Sequence, residues 1–122
     1  MIKFRVALLG VVAAAAVAAF AVPAMAAHHT RAVSTVTVTA GKPSEFHFVV
    51  SPASVSSGVV TFKVTNKGKL QHDFSISGRK TKLLNPGQSA TLRVTLKKGN
   101  QAYKCTVPGH AAAGMKGVLK VS

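Results

Sequence analysis

Near the C-terminus the chain reads Tyr103-Lys104-Cys105-Thr106-Val107-Pro108-Gly109-His110-Ala111-Ala112-Ala113-Gly114-Met115-Lys116-Gly117. A thiolate, an imidazole and a thioether thus recur at intervals of five on one stretch, and a single loop can fold three such soft or borderline donors around one ion. Taken singly, each has an ordinary explanation: a lone Cys as a small buried hydrophobe, a Met as core filler, a loop His as a solvated side chain. Their coincidence argues otherwise, because Cys105 is the single Cys of the chain and Met115 the single Met beyond Met25. One Cys cannot form an intramolecular disulfide, so Cys105 is a free thiol, an intermolecular bridge or a ligand. A fourth donor is offered by His72, in Asn66-Lys67-Gly68-Lys69-Leu70-Gln71-His72-Asp73-Phe74, where a turn runs into a strand. Zinc accepts Cys and His but gains little from a thioether, so Met115 argues for copper. The candidate metal ligands are His72, Cys105, His110 and Met115, and the candidate cofactor is one copper ion.

The elements that must position these residues have period two. Val36 and Val38 alternate with Thr; Phe46, Phe48 and Val50 follow; then come Val60, Phe62 and Val64, Phe74 and Ile76, Leu92, Val94 and Leu96, Ala102 to Cys105, and Leu119 with Val121. Each run reads as a short half-buried strand. Turn signals separate them at Gly41-Lys42-Pro43, Ser51-Pro52, Asn66-Lys67-Gly68, Asn85-Pro86-Gly87 and Gly99-Asn100. About seven such strands with no helical period and no βα alternation predict an all-β, antiparallel sandwich. Ala111-Ala112-Ala113-Gly114 suits one helical turn, but its flanks hold too much Gly and Pro for a helix. His47, between Phe46 and Phe48, is expected to point away from both and to sit on the surface.

The first 26 residues read as an export signal: Lys3 and Arg5, an Ala-rich apolar run from Val6 to Val22, and small residues at Ala24 and Ala26. A membrane-spanning helix needs about 20 strongly apolar residues, and this run is shorter and mostly Ala. The division is therefore a signal peptide at 1–26 and one domain at 27–122, in the periplasmic or extracellular space. The formal charge is +14, from 16 Lys and Arg against Glu45 and Asp73, and loss of Lys3 and Arg5 lowers it by two units. Such a field steers association toward anionic partners or surfaces, a membrane surface among them. The aromatics alternate along strands instead of interleaving with the cations, so nucleic acid is not the expected partner.

The Cys-loop-His-loop-Met stretch from Tyr103 to Gly117, with the approach Val60-Thr61-Phe62-Lys63-Val64-Thr65-Asn66 leading to His72, resembles the small type 1 (blue) copper proteins of the cupredoxin family, which includes plastocyanin, pseudoazurin, azurin and sulfocyanin. The resemblance implies a Greek-key β-sandwich of about eight strands. It also implies equatorial ligands His72, Cys105 and His110, a long axial Met115, and a copper ion that carries single electrons between redox partners. Where many relatives carry Asn after the first His, this chain has Asp73. Asp73 is expected to accept hydrogen bonds from the Thr106 hydroxyl or N–H, tying the two ligand segments together, against the plainer reading of an exposed strand-end carboxylate. Small residues flank His110, so its edge is expected to reach the surface, unless the alanines pack inward. Lys69, Lys104 and Lys116 form a candidate basic rim for a redox protein with an acidic docking surface, and the protein is expected to act as a monomer.

Three rivals remain. An enzyme is poorly supported, since Glu45 and Asp73 are the only acids and neither a phosphate loop nor a nucleophile elbow occurs. An extracytoplasmic copper carrier would use the same four ligands and release the metal to a recipient. A basic sandwich that adheres to anionic polymers would need no metal. Ala27-His28-His29 would start the mature chain and place a His third behind a free amine, an arrangement able to wrap Cu(II) but one that chance also produces.

Overall fold

The structure, a computed structural model, describes residues 10–22 and 33–122. The expected cleavage site at Ala24-Met25-Ala26 and the segment Ala27-His28-His29 lie outside the described residues. Among the described residues no helix is long and apolar enough to cross a membrane.

Among the described residues nine strands follow one another: β1 (Ser34–Ala40), β2 (Phe48–Ser51), β3 (Ser54–Val55), β4 (Gly58–Asn66), β5 (Ser75–Ile76), β6 (Arg79–Lys80), β7 (Ser89–Leu96), β8 (Gly99–Lys104) and β9 (Lys116–Val121). They form a four-stranded sheet ordered β2-β1-β4-β7 and a five-stranded sheet ordered β3-β9-β8-β5-β6. The alternation does what period two demands. In β1, Val36, Val38 and Ala40 are buried while Thr35 and Thr37 are exposed; β4 buries Val60, Phe62 and Val64, and β7 buries Leu92, Val94 and Leu96. Facing them from the second sheet and its approaches are Val55, Phe74, Ile76, Leu119 and Val121, in one continuous core. Each such side chain stabilises the fold by about 1.5–3 kcal/mol relative to exposure.

One expectation is corrected. The sandwich is not wholly antiparallel: β1 runs parallel to β4 over Ser34↔Val60 to Ala40↔Asn66, and β3 runs parallel to β9. The chain leaves β1, turns back through antiparallel β2, and crosses to the other side of β1 as β4. Parallel pairing requires such a crossover connection.

The C-terminal ends of β1, β4 and β8 and the start of β9 feed one end of the sandwich. Ala40 and Asn66 close the β1–β4 ladder there, and Ala40 packs with Cys105 and Met115 in a second, smaller buried cluster. Asn66, fully buried, donates from Nδ2 to the carbonyls of Leu70 (2.8 Å) and Leu84 (2.9 Å) and accepts the Gly68 N–H (2.9 Å). These bonds satisfy two backbone groups of the turn that leads to His72 and tie that turn to Leu84, the residue that pairs with His72.

Candidate metal centre

His72 sits just beyond that turn, its backbone held by two bonds to Leu84: His72 N–H to Leu84 C=O (3.1 Å) and Leu84 N–H to His72 C=O (2.8 Å). Cys105 follows directly on β8, and its N–H donates to the Met115 carbonyl (3.0 Å). The stretch between them makes the single helical turn that its alanines suggest. The N–H of Ala113 reaches the carbonyls of Gly109 and His110, and the N–H of Met115 returns to His110 C=O at 3.1 Å.

These supports bring His72, Cys105 and His110, all buried, to within 4.8 Å of one another. The two Nδ1 atoms lie 3.1 Å apart, and Cys105 Sγ lies 3.6 Å from His110 Nδ1 and 3.9 Å from His72 Nδ1. A triangle with these sides has a circumscribed circle whose radius, the product of the sides over four times the area, is about 2.1 Å, against about 2.0 Å for metal–imidazole and about 2.3 Å for metal–thiolate bonds. The donor triangle is therefore the size that a first-row ion needs. Met115, completely buried, packs with Cys105 and Ala40 against Phe46, Phe48 and Val107. One imidazole pair, one thiol and one thioether collected in this way form a type 1 copper site arrangement.

The model of the plastocyanin/azurin family of copper-binding proteins matches residues 10–122. The chain belongs to that family. Solved structures similar to it include dithionite-reduced auracyanin from the photosynthetic bacterium Roseiflexus castenholzii, with 25% identity and a TM-score of 0.58 over 75% of this chain and 98% of that one. Auracyanin A, a blue copper protein from Chloroflexus aurantiacus, has 20% identity and a TM-score of 0.59 over 75% and 100%. Rusticyanin from Thiobacillus ferrooxidans has 22% and 0.62 over 72% and 76%; these last two likenesses speak to the fold. Among curated proteins none matches the chain significantly.

Within this plastocyanin/azurin framework, Asp73 does what its position suggested. It is only 5% exposed. It accepts the Thr106 N–H (2.6 Å) and the Thr106 hydroxyl, joining the residue after His72 to the residue after Cys105. The plainer reading of an exposed carboxylate does not hold. His110 has 8% of its surface exposed, Pro108, Gly109, Ala112 and Ala113 are exposed around it, and His72 and Cys105 are sealed. Those alanines do not pack inward. Lys69, Lys104 and Lys116 are all exposed, Lys104 directly opposite Lys116 on β8 and β9. His47 is exposed, as its place between two inward phenylalanines implies.

Two contributors were not read from the sequence. Phe46, expected in a strand, lies just before β2 and sets its ring edge-on to His110 at a centroid distance of 5.0 Å. Glu45 Oε1 accepts a hydrogen bond from His72 Nε2 at 2.7 Å. The available signal was composition: in a chain with 16 cations and two acids, each acid was a candidate for a specific task.

The electrostatics follow from these contacts. Hydrogen bonds from the Lys69 N–H, then from Leu70 N–H and the His72 ring, hold the Glu45 carboxyl at about 2 despite the opposing effect of burial. Burial pushes the Cys105 thiol up. Burial, then the neighbouring His72, pushes the His110 imidazole down, which favours its neutral, ligating form.

Proposed function

We propose that this protein is an exported electron carrier: a signal peptide at 1–26 delivers a domain at 27–122 that holds one copper ion through His72, Cys105, His110 and Met115. The observation that carries the reading is the convergence of His72 Nδ1, His110 Nδ1 and Cys105 Sγ in a triangle of metal-binding size. Bound there, copper supplies a one-electron Cu(II)/Cu(I) couple.

The chain's own residues supply the rest. Leu84, Met115 and Val107 fix the ligand backbones by main-chain hydrogen bonds, so the donors have little freedom to rearrange when the charge at the site changes. With small exposed residues around it, His110 is the most exposed of the four candidate ligands, at 8%, so an electron would leave by its edge. Lys104 and Lys116, cross-strand neighbours close to Cys105, with Lys69 favour a redox partner with an acidic face, acting mainly on association rate. A copper carrier would have to open this same cluster to give up its ion, and the contacts that hold it favour retention.

The test is an optical redox titration of the copper-loaded protein. An intense thiolate-to-copper visible band should appear, bleach on reduction and return on reoxidation over many cycles in the presence of a copper chelator, and Cys105→Ser should abolish it. Loss of the ion to the chelator on the first reduction would assign the protein to copper delivery, and a colourless protein would remove copper chemistry altogether.

A further inference from the structure

The Glu45 carboxylate comes from the connection between β1 and β2, a part of the chain that supplies none of the four candidate ligands, and yet it is bound on three sides by the turn that leads to His72. Its oxygens accept the Lys69 N–H (2.9 and 3.1 Å), the Leu70 N–H (2.9 Å) and His72 Nε2 (2.7 Å). The imidazole it meets is fully buried. Two glycines make room for the contact. A Cβ on Gly68 would stand 2.5 Å from Glu45 Oε1 and 2.9 Å from His72 Nε2, closer than side chains pack. Gly41, in the left-handed region at φ +81°, lies so close to Gly68 that a Cβ there would strike its backbone. The next residue, Phe46, packs on the other imidazole.

We propose that Glu45 is a positioning residue of the copper centre, fixing the tautomer and ring angle of His72 and favouring Cu(II) with its charge. The inference rests on the copper reading above and deepens it. In a neutral imidazole one nitrogen donates and the other accepts. A carboxylate facing Nε2 assigns the proton to that nitrogen, which leaves the Nδ1 lone pair aimed at Cys105 and His110. A carboxylate behind a ligating imidazole also raises the basicity of the ligand. Because reduction adds negative charge to the site, a nearby fixed anion opposes it. The rival role is purely architectural, with Glu45 serving only to satisfy the Lys69 and Leu70 amides.

Glu45→Gln separates the two roles, since an amide oxygen can still accept those backbone protons while the charge is gone. The experiment has one arm without metal and one with it. In the metal-free wild-type protein, nitrogen-edited NMR should show the His72 ring proton on Nε2 as a protected, downfield resonance, and E45Q, whose amide oxygen can take the place of Oε1, should keep it there. Gly68→Ala, which displaces the pair without removing a charge, should lose that protection. In the copper-loaded protein, E45Q should shift the Cu(II)/Cu(I) equilibrium about tenfold toward Cu(I), a rise of about 59 mV for one electron. A His72 proton found on Nδ1 in the wild type would overturn the assignment. So would an unchanged E45Q potential in a protein that keeps its visible band. A wild-type protein with no visible band would instead overturn the copper reading.

Discussion

Asp73→Asn isolates the electrostatic part of the site's design. Asp73 accepts two hydrogen bonds from Thr106, one from the backbone and one from the hydroxyl. Asparagine can keep both contacts: its carbonyl oxygen takes the Thr106 N–H, and its amide donates to a hydroxyl that rotates to accept. The fold should therefore survive while one negative charge next to the thiolate segment disappears. Unit charges about 4 Å apart interact by about 1 kcal/mol in water and by about 4 kcal/mol at an effective dielectric of about 20. The carboxylate sits one hydrogen bond and one residue from Cys105, on a side chain that is 5% exposed. The loss then lies between those limits, roughly 1–3 kcal/mol. At about 59 mV per tenfold change for one electron, the potential should rise by roughly 40–130 mV.

The assay is a potentiometric titration of the visible band at neutral pH, alongside thermal unfolding of the metal-free protein. A rise in potential with a small change in melting temperature supports the electrostatic account. A shift below about 20 mV, far less than Coulomb attraction at this separation allows, would refute it and leave Asp73 as a structural tie between the two ligand segments.

Two further outcomes can be checked. Asn66→Ala removes three hydrogen bonds and strands the Leu70 carbonyl and the Gly68 N–H, while the Leu84 carbonyl keeps the His72 N–H. At about 1 kcal/mol each, with the buried orphans adding more, the loss is about 3 kcal/mol, or roughly 10–25 °C in melting temperature for a domain of this size; a fall below about 5 °C would show that the turn stands without Asn66. Loading Cu(I) should release about one proton from Cys105, whose thiol is held above its ordinary value of 9.0, and none from His110, held below 6.5. Between those values apparent affinity should therefore rise about tenfold per pH unit. Calorimetry in buffers of different ionisation enthalpy reads the proton count, and release that persists in Cys105→Ser would contradict the assignment.

How much of this was legible beforehand depended on rarity and on period. The loop from Cys105 to Met115 could be read because its donors are scarce in this chain, so their meeting in one stretch carried information that a common residue could not. The strands could be read because Val36 and Val38, Val60 to Val64 and Leu92 to Leu96 keep strict alternation with outward polar residues. That signal is blind to direction and partner, which is why the parallel β1–β4 pairing was missed. It also needs several residues, and β3 and β6 have two each. Phe46 kept the alternation of Phe48 and Val50 without belonging to their strand, because an inward position beyond a strand end looks the same in sequence as one inside it. The Glu45–His72 contact joins residues 27 positions apart. It depends on how closely Gly41 and Gly68 bring two backbones together, a tertiary fact with no local pattern.

The layout of the molecule separates two tasks that compete in a small protein. The large core of Phe62, Phe74, Leu96, Leu119 and their neighbours lies between the sheets, and the cluster of Ala40, Cys105 and Met115 stands apart from it at one end. Hydrophobic burial can therefore hold the sandwich while hydrogen bonds from His72, Cys105 and His110 N–H to the carbonyls of Leu84, Met115 and Val107, and from Thr106 to Asp73, set the metal end. The charges are divided in the same way. Both acids of the chain turn toward the ligand segments, Glu45 to His72 and Asp73 to Thr106, whereas Lys69, Lys104 and Lys116 face solvent. Interactions of exposed charges fade beyond about 8–10 Å at ordinary ionic strength, while buried ones are screened far less. The two inward carboxylates can thus bias the potential in a way that salt hardly alters, and the outward lysines can speed docking in a way that salt suppresses. Substituting the acids should move the potential and leave association rates in place, and substituting the lysines should do the reverse.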